Sequence, residues 1–402
     1  MAKSRIAAGL VAPAFLASTL LACTTVAAVS KTPDDVANNL TLPPGFKINV
    51  FARLNPAKGD YFRGPRFMTF GPDGHLYLAS SVDDTVYMLP DRNHDGMADD
   101  VVPVVEGLNA PNSLVFSGNV MLVANQDGVV RIVQKQDSKQ PAGKPVPLIS
   151  NLPTGGHTLK TIKLGPDNHL YLNVGSSCNV CVEKDPLRAT ILRYTLDGKP
   201  AGAKEYGSGS AIWAMGLRNS QGMAWQPKTG ALYATNNGAD MRSDVKDGAA
   251  NDELPPEHIN KIEPGKHYGW PHCWGSRVTD PNFPGKPGAC SNMQPPAITL
   301  RAHSTPLGIA FLDKTNFPSE YKQDAIVALH GSWNRVQPYG YKLVRIRFRD
   351  NQPVAVEDFV TGWQAGSSAW GRPVDVVTGP DGALYVSDDR AGLVYRITYN
   401  KK

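Results

Sequence analysis

A histidine in a glycine-rich loop is the first residue whose setting suits chemistry. His157 follows Gly155 and Gly156 and precedes a predicted strand. A neutral imidazole takes up a proton readily near pH 7, since its free pKa is about 6.5. The position therefore suits a general base. An ordinary hydrogen-bonded loop histidine has the same spacing, and the pattern by itself does not separate the two.

Basic and amide residues recur at the corresponding place of later segments. Arg218 and Asn219 would suit a polycarboxylate ligand, although a salt bridge between repeats uses the same groups. Gly238 and Ala239 follow the next strand. Their backbone carbonyls could hold a hard cation, or the segment could be only a turn. Three further basic residues are predicted to lie at the same end of the fold as His157: His330, Arg335 and Arg372.

An acidic segment has the spacing of a calcium loop. Positions 1, 3, 5 and 9 are Asp91, Asn93, Asp95 and Asp99, with Gly96 at position 6. Calcium binds several oxygen ligands, and glycine allows the sharp turn. The glutamate expected at position 12 is absent, because that residue is Val102. The pattern predicts a structural calcium, with a metal-free acidic turn as the alternative.

Cysteine spacing favours two local disulfides, Cys178–Cys181 and Cys273–Cys290, in an oxidising compartment. A c-type haem requires histidine directly after Cys-x-x-Cys, but residue 182 is valine. A zinc site would require a second close pair, which the 273/290 spacing does not supply. A redox-active pair is the alternative to a structural one.

The N-terminus predicts export. A basic start followed by the apolar run Ala7–Ala22 is typical of a secretion signal and too short for a stable membrane span. Residues 20–23 resemble a lipobox, which would lipidate Cys23 and provide a membrane anchor; residues 26–28 instead fit cleavage before Val29. We expect a signal segment at 1–28, a flexible leader at 29–40, and one domain at 41–402 in a periplasmic or exported protein.

Composition and repeats predict the fold that positions these residues. The 402 residues include 38 glycines and 33 prolines, which favours short strands and turns over long helices. The net charge of +5 comes without a basic cluster that interleaves aromatics, so nucleic acid is not an expected partner. Six segments share the order strand, Gly/Pro/Asp turn, strand, loop, strand: Arg66–Leu89, Ser113–Ile132, Leu159–Ser176, Gln221–Asn237, Pro306–His330 and Val374–Ile397.

Six such units can bury both faces of each sheet only when they are arranged radially. The sequence therefore predicts an all-β, six-bladed β-propeller, with Leu42–Ala52 as a strand beside the last blade. A pair of β-sandwiches is the competing fold. Longer insertions between strands should be loops on one face, where function usually lies.

Several motifs resemble those of the soluble pyrroloquinoline-quinone (PQQ) sugar dehydrogenases, most closely the L-sorbosone dehydrogenase branch. The resemblance extends from Leu42 to Ile397. Its carriers are KLGPDNHLYLNVG after His157, LRNSQG at 217–222, NNGAD at 236–240, HINKIEPGKHYGWPHCWG at 258–275, HGSWNR at 330–335 and GRPVDVVTGPDGALYVSDD at 371–389.

This resemblance implies a role for each matching residue. His157 matches the general base, Arg218 the arginine that stabilises the quinone oxygen, and Asn219 a cofactor contact. The carbonyls of Gly238 and Ala239 match the ligands of an active-site Ca²⁺.

The resemblance also implies how the cofactor is held and what the protein does. Arg372 matches an arginine that grips PQQ carboxylates, and His330 or Arg335 would replace the lysine of the family. The implied activity is PQQ- and calcium-dependent oxidation of an aldose or a related sugar, polyol or aldehyde, with electrons passed to a quinone or another acceptor. A calcium-dependent propeller lactonase and a non-catalytic propeller that binds a sugar or a protein are the alternatives.

Overall fold

The computed structural model describes residues 35–57, 64–133 and 143–400. Cys23 and the predicted signal segment lie outside these residues. The described chain is almost entirely β, with short 3-10 helices at Asp35–Asn39, Lys204–Tyr206 and Ser319–Tyr321. No helix among the described residues has the length and apolarity needed to cross a membrane.

Six four-stranded antiparallel sheets form the blades of the molecule. The chain begins with strand β1 (Phe46–Arg53). Blade 1 comprises β2 (Pro65–Phe70), β3 (Leu76–Ser80), β4 (Thr85–Leu89) and β5 (Val102–Val105). Blade 2 comprises β6 (Ser113–Ser117), β7 (Val120–Asn125), β8 (Gly128–Val133) and β9 (Val146–Ile149). Blade 3 comprises β10 (Ile162–Leu164), β11 (His169–Val174), β12 (Thr190–Thr195) and β13 (Ile212–Met215).

The second half of the chain repeats this plan with insertions. Blade 4 comprises β14 (Met223–Trp225), β15 (Leu232–Asn236), β16 (Glu257–Ile262) and, after the small hairpin β17 (Cys273–Trp274) and β18 (Val278–Thr279), β19 (Ile298–Leu300). Blade 5 comprises β20 (Pro306–Phe311), β21 (Ala325–Leu329), β22 (Lys342–Arg349) and β23 (Gln352–Val360). A second hairpin, β24 (Gln364–Ala365) and β25 (Ser368–Ala369), leads to β26 (Pro373–Thr378), β27 (Leu384–Asp388) and β28 (Leu393–Tyr399) of blade 6.

The N-terminal strand completes the last blade. β1 pairs antiparallel with β28, with Phe46 opposite Tyr399 and Ile48 opposite Ile397. The first strand of blade 6, β26, contacts the first strand of blade 1, β2, which closes the ring. The six-bladed propeller and the closing strand are therefore confirmed. The β-sandwich alternative is wrong, because the sheets are six separate blades.

Both the core and the turns follow from the repeat. Every residue of β3 and of β27 is buried, since each blade is covered by a neighbour on both faces. Three Gly-Pro-Asp turns share one hydrogen-bond pattern, in which a tyrosine hydroxyl four residues on donates to the aspartate. The pairs are Tyr77–Asp73 (2.8 Å), Tyr171–Asp167 (3.0 Å) and Tyr385–Asp381 (3.0 Å). These side chains fix the turns between first and second strands.

Antiparallel pairing determines which loops meet. Neighbouring strands run in opposite directions, so loops before the first strand of a blade and after its second strand lie at the same end. We call this the upper end. His157 precedes β10, and Arg218 precedes β14, whereas residues 237–240 follow β15. The repeat therefore brings these three segments to one end of the ring.

Candidate active site

A cavity of about 560 Å³ lies at the upper end of the propeller. Its lining combines residues that precede first strands with residues that follow second strands, as the antiparallel plan requires. The polar side chains in the lining are Arg66, His157, Thr158, Ser177, Asn179, Arg218, Asn219, Gln221, Asn237, Asp240, Glu257, His303, Thr305, His330 and Asn334. Blades 1, 3, 4 and 5 thus contribute polar groups to one cavity.

His157 is held in a single tautomer by its neighbours. Its Nδ1 lies 3.2 Å from the carbonyl oxygen of Ser176 and 2.9 Å from the hydroxyl of the same residue. That hydroxyl donates its proton to the carbonyl of Cys178, at 2.7 Å. Both neighbours of Nδ1 are therefore acceptors, so Nδ1 carries the proton and Nε2 keeps its lone pair. Burial, followed by the charge of Arg218, lowers the pKa of His157 to about 3.

The guanidinium of Arg218 is fixed by an ion pair and by a turn of blade 3. Its Nη2 lies 2.8 Å from Oδ2 of Asp240, and both side chains are largely buried. Asn179 accepts from Nε of Arg218 through its carbonyl at 3.1 Å, and from Nη2 through Oδ1 at 3.0 Å. The other oxygen of Asp240 accepts from the amide of Asn334, at 2.9 Å. The cation therefore stands in a defined orientation beside the imidazole.

A buried carboxylate lies beneath the predicted calcium ligands. Oε2 of Glu257 accepts from the backbone N–H of Gly238 at 2.5 Å. Glu257 is almost fully buried, and burial raises its pKa to about 7. Within the described part of the chain, the carbonyl oxygens of Gly238 and Ala239 accept no hydrogen bond. Hard carbonyl oxygens beside a carboxylate fit the Ca²⁺ that the sequence resemblance implies. Gly238 lines the cavity, whereas Ala239 faces a smaller adjoining pocket.

A second buried cation stands on the blade 1 side. Arg66 is 1% exposed and donates from Nη1 to Asp389 at 2.7 Å and from Nη2 to Gln221 at 3.1 Å. Nε2 of His330 lies 2.9 Å from the same carboxylate. Burial lowers the pKa of His330 to about 4, so its neutral ring donates from Nε2 to Asp389. Both Arg66 and His330 line the cavity.

Asp388 and Asp389 are adjacent and buried, yet their pKa values shift in opposite directions. Burial raises the pKa of Asp388 to about 7. Burial also opposes ionisation of Asp389, but His330, Arg66 and Arg372 outweigh it and lower the pKa of that carboxyl. Of the two carboxyl groups, the one that carries the negative charge is therefore Asp389, the partner of Arg66.

We expect Asp388→Asn to stabilise the protein increasingly as the pH rises from 4 to 8. Oδ1 of Asp388 accepts from the backbone of Arg372 and of Ala391, at 2.8 and 2.9 Å, and an asparagine oxygen keeps both bonds. The folded wild type retains a proton that the unfolded chain releases above pH 4, so this group costs stability as pH rises through 7. The stability advantage of the variant should grow by about 4 kcal/mol at most.

Urea unfolding at pH 4 and pH 8 measures this difference. The exposed Asp313→Asn variant controls for the removal of one negative charge. A difference between Asp388→Asn and wild type that is the same at both pH values would contradict a buried, neutral Asp388.

Two of the predicted cofactor-gripping arginines do not line the cavity. Arg372 donates from Nε to the carbonyl of His330 and from Nη2 to that of Gly331, both at 3.0 Å. It therefore braces the loop that carries His330. Arg335 pairs with Glu253 at 2.5 Å and donates to the carbonyl of Ala302 at 3.2 Å. A direct cofactor contact by either arginine stays a prediction from the sequence, whereas His330 does face the cavity.

Orphaned amide atoms in the lining indicate the character of the ligand. Among the described residues, Oδ1 of Asn219, of Asn237 and of Asn334 is buried without a hydrogen-bond partner. Such an atom costs about 1–3 kcal/mol, and a ligand that bonds to it recovers this free energy. Each orphaned Oδ1 is an acceptor and requires an N–H or O–H donor from the ligand. The guanidinium groups of Arg66 and Arg218 instead suit carbonyl and carboxylate oxygens. PQQ carries both kinds of group, so the residues present fit it.

The acidic loop lies outside the cavity. The Asp91 carboxylate accepts from the backbone N–H of Asp95 at 3.2 Å and of Gly96 at 3.0 Å. Oδ1 of Asn93 accepts from the backbone of Asp95 at 3.1 Å, and Oδ2 of Asp99 accepts from that of Arg92 at 2.8 Å. These bonds order the loop, and a calcium ion within it stays a prediction.

Both predicted disulfides are confirmed. Cys178–Cys181 and Cys273–Cys290 are bonded, and Cys178 contributes to the cavity lining. The first bridge encloses only Asn179 and Val180, so it holds the short turn that contacts Arg218.

Three cavity residues were missed by reasoning from the sequence. Arg66 opens the first repeat at the position that Gln221 occupies in the fourth, and this position was the available signal. Glu257 directly precedes the motif at 258–275. Asn179 lies between the paired cysteines, where the pattern pointed only to the disulfide.

A family model described as TrAA12-like matches residues 43–400. An uncharacterized protein of Borreliella burgdorferi is 28% identical over 391 residues, which cover 94% of this chain and 95% of that protein. Aldose sugar dehydrogenase YliI of Escherichia coli is 27% identical over 256 residues, covering 61% of each chain. The PQQ-dependent pyranose dehydrogenase of Coprinopsis cinerea is 27% identical over 306 residues, covering 62% of this chain and 40% of that protein. The matched segments thus span less than two thirds of both dehydrogenases.

Solved structures share the architecture. The calcium structure of the Trichoderma reesei family AA12 carbohydrate-active enzyme has a TM-score of 0.74 at 18% identity, covering 94% of this chain and 98% of that one. The holo PQQ domain of the Coprinopsis cinerea pyranose dehydrogenase has a TM-score of 0.72 at 21% identity, covering 89% and 97%. At these identities, the similarity establishes a common fold.

Proposed function

Because this chain belongs to the TrAA12-like family, we propose that it is a PQQ- and calcium-dependent dehydrogenase that oxidises an aldose or a related sugar, polyol or aldehyde. The observation that carries the proposal is the pairing, in one cavity, of a histidine with a bare Nε2 and a buried, oriented guanidinium. PQQ-dependent relatives support the redox class, and the two guanidinium groups in the cavity lining support a ligand that bears carbonyl and carboxylate oxygens.

His157 acts as the general base. With Nδ1 protonated and bonded to Ser176, Nε2 accepts the proton of the substrate hydroxyl. Its lowered pKa keeps the ring neutral, with the Nε2 lone pair free, at any pH well above 3. Removing the hydroxyl proton makes the neighbouring carbon a better hydride donor. When bound, PQQ would supply the hydride acceptor, and Ca²⁺ would supply a Lewis acid.

Arg218 stabilises the negative charge that develops on the oxygen of the hydride acceptor. Its orientation is set before reaction by Asp240 and Asn179, so little reorganisation is needed as the charge appears. Arg66 provides a second cation on blade 1, and its position is fixed by Asp389, which also accepts from Nε2 of His330 on blade 5. The carbonyls of Gly238 and Ala239 would hold the Ca²⁺, and Glu257 supplies the adjacent carboxylate.

Reconstitution tests this function. Chelation followed by dialysis should leave an apoprotein that does not reduce a dye acceptor when aldoses are added. Activity should return with PQQ and Ca²⁺ together, and with neither alone. A return of activity with Ca²⁺ alone would overturn the quinone assignment.

A calcium-dependent lactonase is less well supported by the cavity. That chemistry requires several carboxylates that converge on one ion. Among the described residues, the single group of three His, Cys, Asp or Glu side chains with closely spaced ligand atoms is Cys178, Cys181 and Glu183, and its sulfurs form a disulfide. Asp240 is instead engaged by Arg218 and Asn334.

We propose further that the protein works after export, as its two disulfides favour. A periplasmic location, a lipid anchor at Cys23, and a sorbosone-like substrate are the finer parts of this proposal. A quinone or another small acceptor would take the electrons. A substrate screen on the reconstituted protein, with sorbosone among the aldoses, decides the substrate.

A further inference from the structure

We propose that the disulfide-closed turn Cys178–Cys181 positions both reacting side chains, with Asn179 as the positioning residue for Arg218. The roles of His157 and Arg218 in this proposal rest on the proposed function. The hydrogen bonds that support it join residues of the chain itself and do not involve a cofactor.

Asn179 binds both members of the Arg218–Asp240 ion pair. Its carbonyl accepts from Nε of Arg218 at 3.1 Å, and its Oδ1 accepts from Nη2 at 3.0 Å. The same Oδ1 accepts from the backbone N–H of Asp240 at 2.8 Å, while Nδ2 donates to the Asp240 carbonyl at 2.9 Å. One asparagine therefore fixes the guanidinium and the loop that carries its counterion.

The turn that carries Asn179 is anchored from several sides. Nε1 of Trp270, a buried side chain, donates to the Asn179 carbonyl at 3.0 Å. The carboxylate of Glu183 accepts from the backbone of Ser177 at 2.6 Å and from its hydroxyl at 2.7 Å. The disulfide joins the two ends of the turn. Reorienting the Asn179 carbonyl would require breaking these contacts.

The other end of the same turn orients the base. The carbonyl of Cys178 accepts from the Ser176 hydroxyl at 2.7 Å, and this hydroxyl faces Nδ1 of His157 at 2.9 Å. The Ser176 proton is thereby directed away from the imidazole, which keeps the proton on Nδ1. A four-residue turn thus determines both the tautomer of His157 and the direction of Arg218.

Loosening this turn should affect the transition state more than substrate binding. The developing charge requires donors within a narrow range of positions, and small displacements are costly. The bridge closes a very short loop, which constrains the unfolded chain less than a long loop would, so variants without it should still fold.

Two sets of variants separate the side chain from the backbone. In the reconstituted enzyme, Asn179→Ala should lower kcat about tenfold, the effect of losing a charge-assisted hydrogen bond, with KM for the sugar nearly unchanged. The double variant Cys178→Ser/Cys181→Ser should lower kcat by about 10- to 100-fold, because both reacting groups lose support. Asn316→Ala is the matched control: Asn316 is an exposed turn asparagine with a side-chain bond to Asp381, and kcat should not change.

A measurement on the apoprotein tests the positioning without PQQ. In ¹⁵N-arginine-labelled protein, the Nε–H of Arg218, assigned by its loss in Arg218→Lys, should exchange slowly with water. Exchange should become about tenfold faster in the double cysteine variant, as expected when a buried hydrogen bond opens. In Asn316→Ala it should match wild type.

The outcomes distinguish this proposal from the proposed function. If wild type does not bind PQQ, the function fails, while the exchange data still decide on positioning. If both Asn179→Ala and the double cysteine variant keep wild-type kcat and exchange, the turn is only structural and the proposal is overturned. Equal losses in Asn316→Ala would overturn it as well.

Discussion

His157→Ala should lower kcat by about 10²–10⁴-fold, the usual contribution of a positioned general base. The variant removes Nε2, whose lone pair accepts the substrate proton, while Ser176 and Cys178 keep their own hydrogen bond. PQQ affinity should change little, because Arg66, Arg218 and the cavity asparagines are intact. Steady-state kinetics on reconstituted protein, together with equilibrium dialysis of PQQ, measures the two effects separately.

His169→Ala is the matched control for this experiment. His169 lies in the same blade, at the end of β11 remote from the cavity, and its Nδ1 lies 2.8 Å from the Asp167 carbonyl. The control should retain wild-type kcat. Near-normal turnover in His157→Ala would remove His157 from the mechanism.

Arg218→Met should lower kcat by about 10²–10³-fold, as expected for the loss of a preorganised donor to a developing oxyanion. Methionine fills a similar volume but cannot pair with Asp240. The Asp240 carboxylate would keep the amide of Asn334, with the ring of His303 3.8 Å away. Arg218→Lys should fall between wild type and methionine, because an ammonium group keeps the charge but loses the planar fork.

Arg242→Met separates the chemical effect from the cost of breaking an ion pair. Arg242 pairs with buried Asp280 at 2.6 Å and does not belong to the cavity lining. Both variants should lower the free energy of unfolding, and only Arg218→Met should lower kcat. A kcat loss of the same size in both would show that Arg218 acts through stability alone.

The fold could be predicted from the sequence because each blade repeats the same pattern of strands and turns. The Gly-Pro-Asp turns, the alternating strands and the equal order of six units leave one radial arrangement that buries every sheet. The same periodicity placed His157, Arg218 and His330 at one end, since residues in equivalent loops of antiparallel blades meet there. A strand at Leu42–Ala52 was predicted beside the last blade, and β1 pairs there with β28.

The details of the cavity could not be predicted because they depend on side-chain directions. Arg372 lies in the expected loop, but its guanidinium turns to two carbonyls rather than to the cavity. Arg66 and Glu257 are buried charges at strand ends, and their sequence pattern is that of surface residues until the opposing blades are in place. Asn179 owes its position to Trp270, which is 91 residues away in the chain.

The most direct test is an absorbance titration of the apoprotein with PQQ in the presence of Ca²⁺. Binding should saturate at one PQQ per chain, and the spectrum of the bound quinone should change when an oxidisable aldose is added. His157→Ala should bind the quinone but show this change far more slowly. Absence of saturable binding, or a bound spectrum unaffected by every sugar tested, would contradict the assignment of this cavity to a quinone-dependent dehydrogenase.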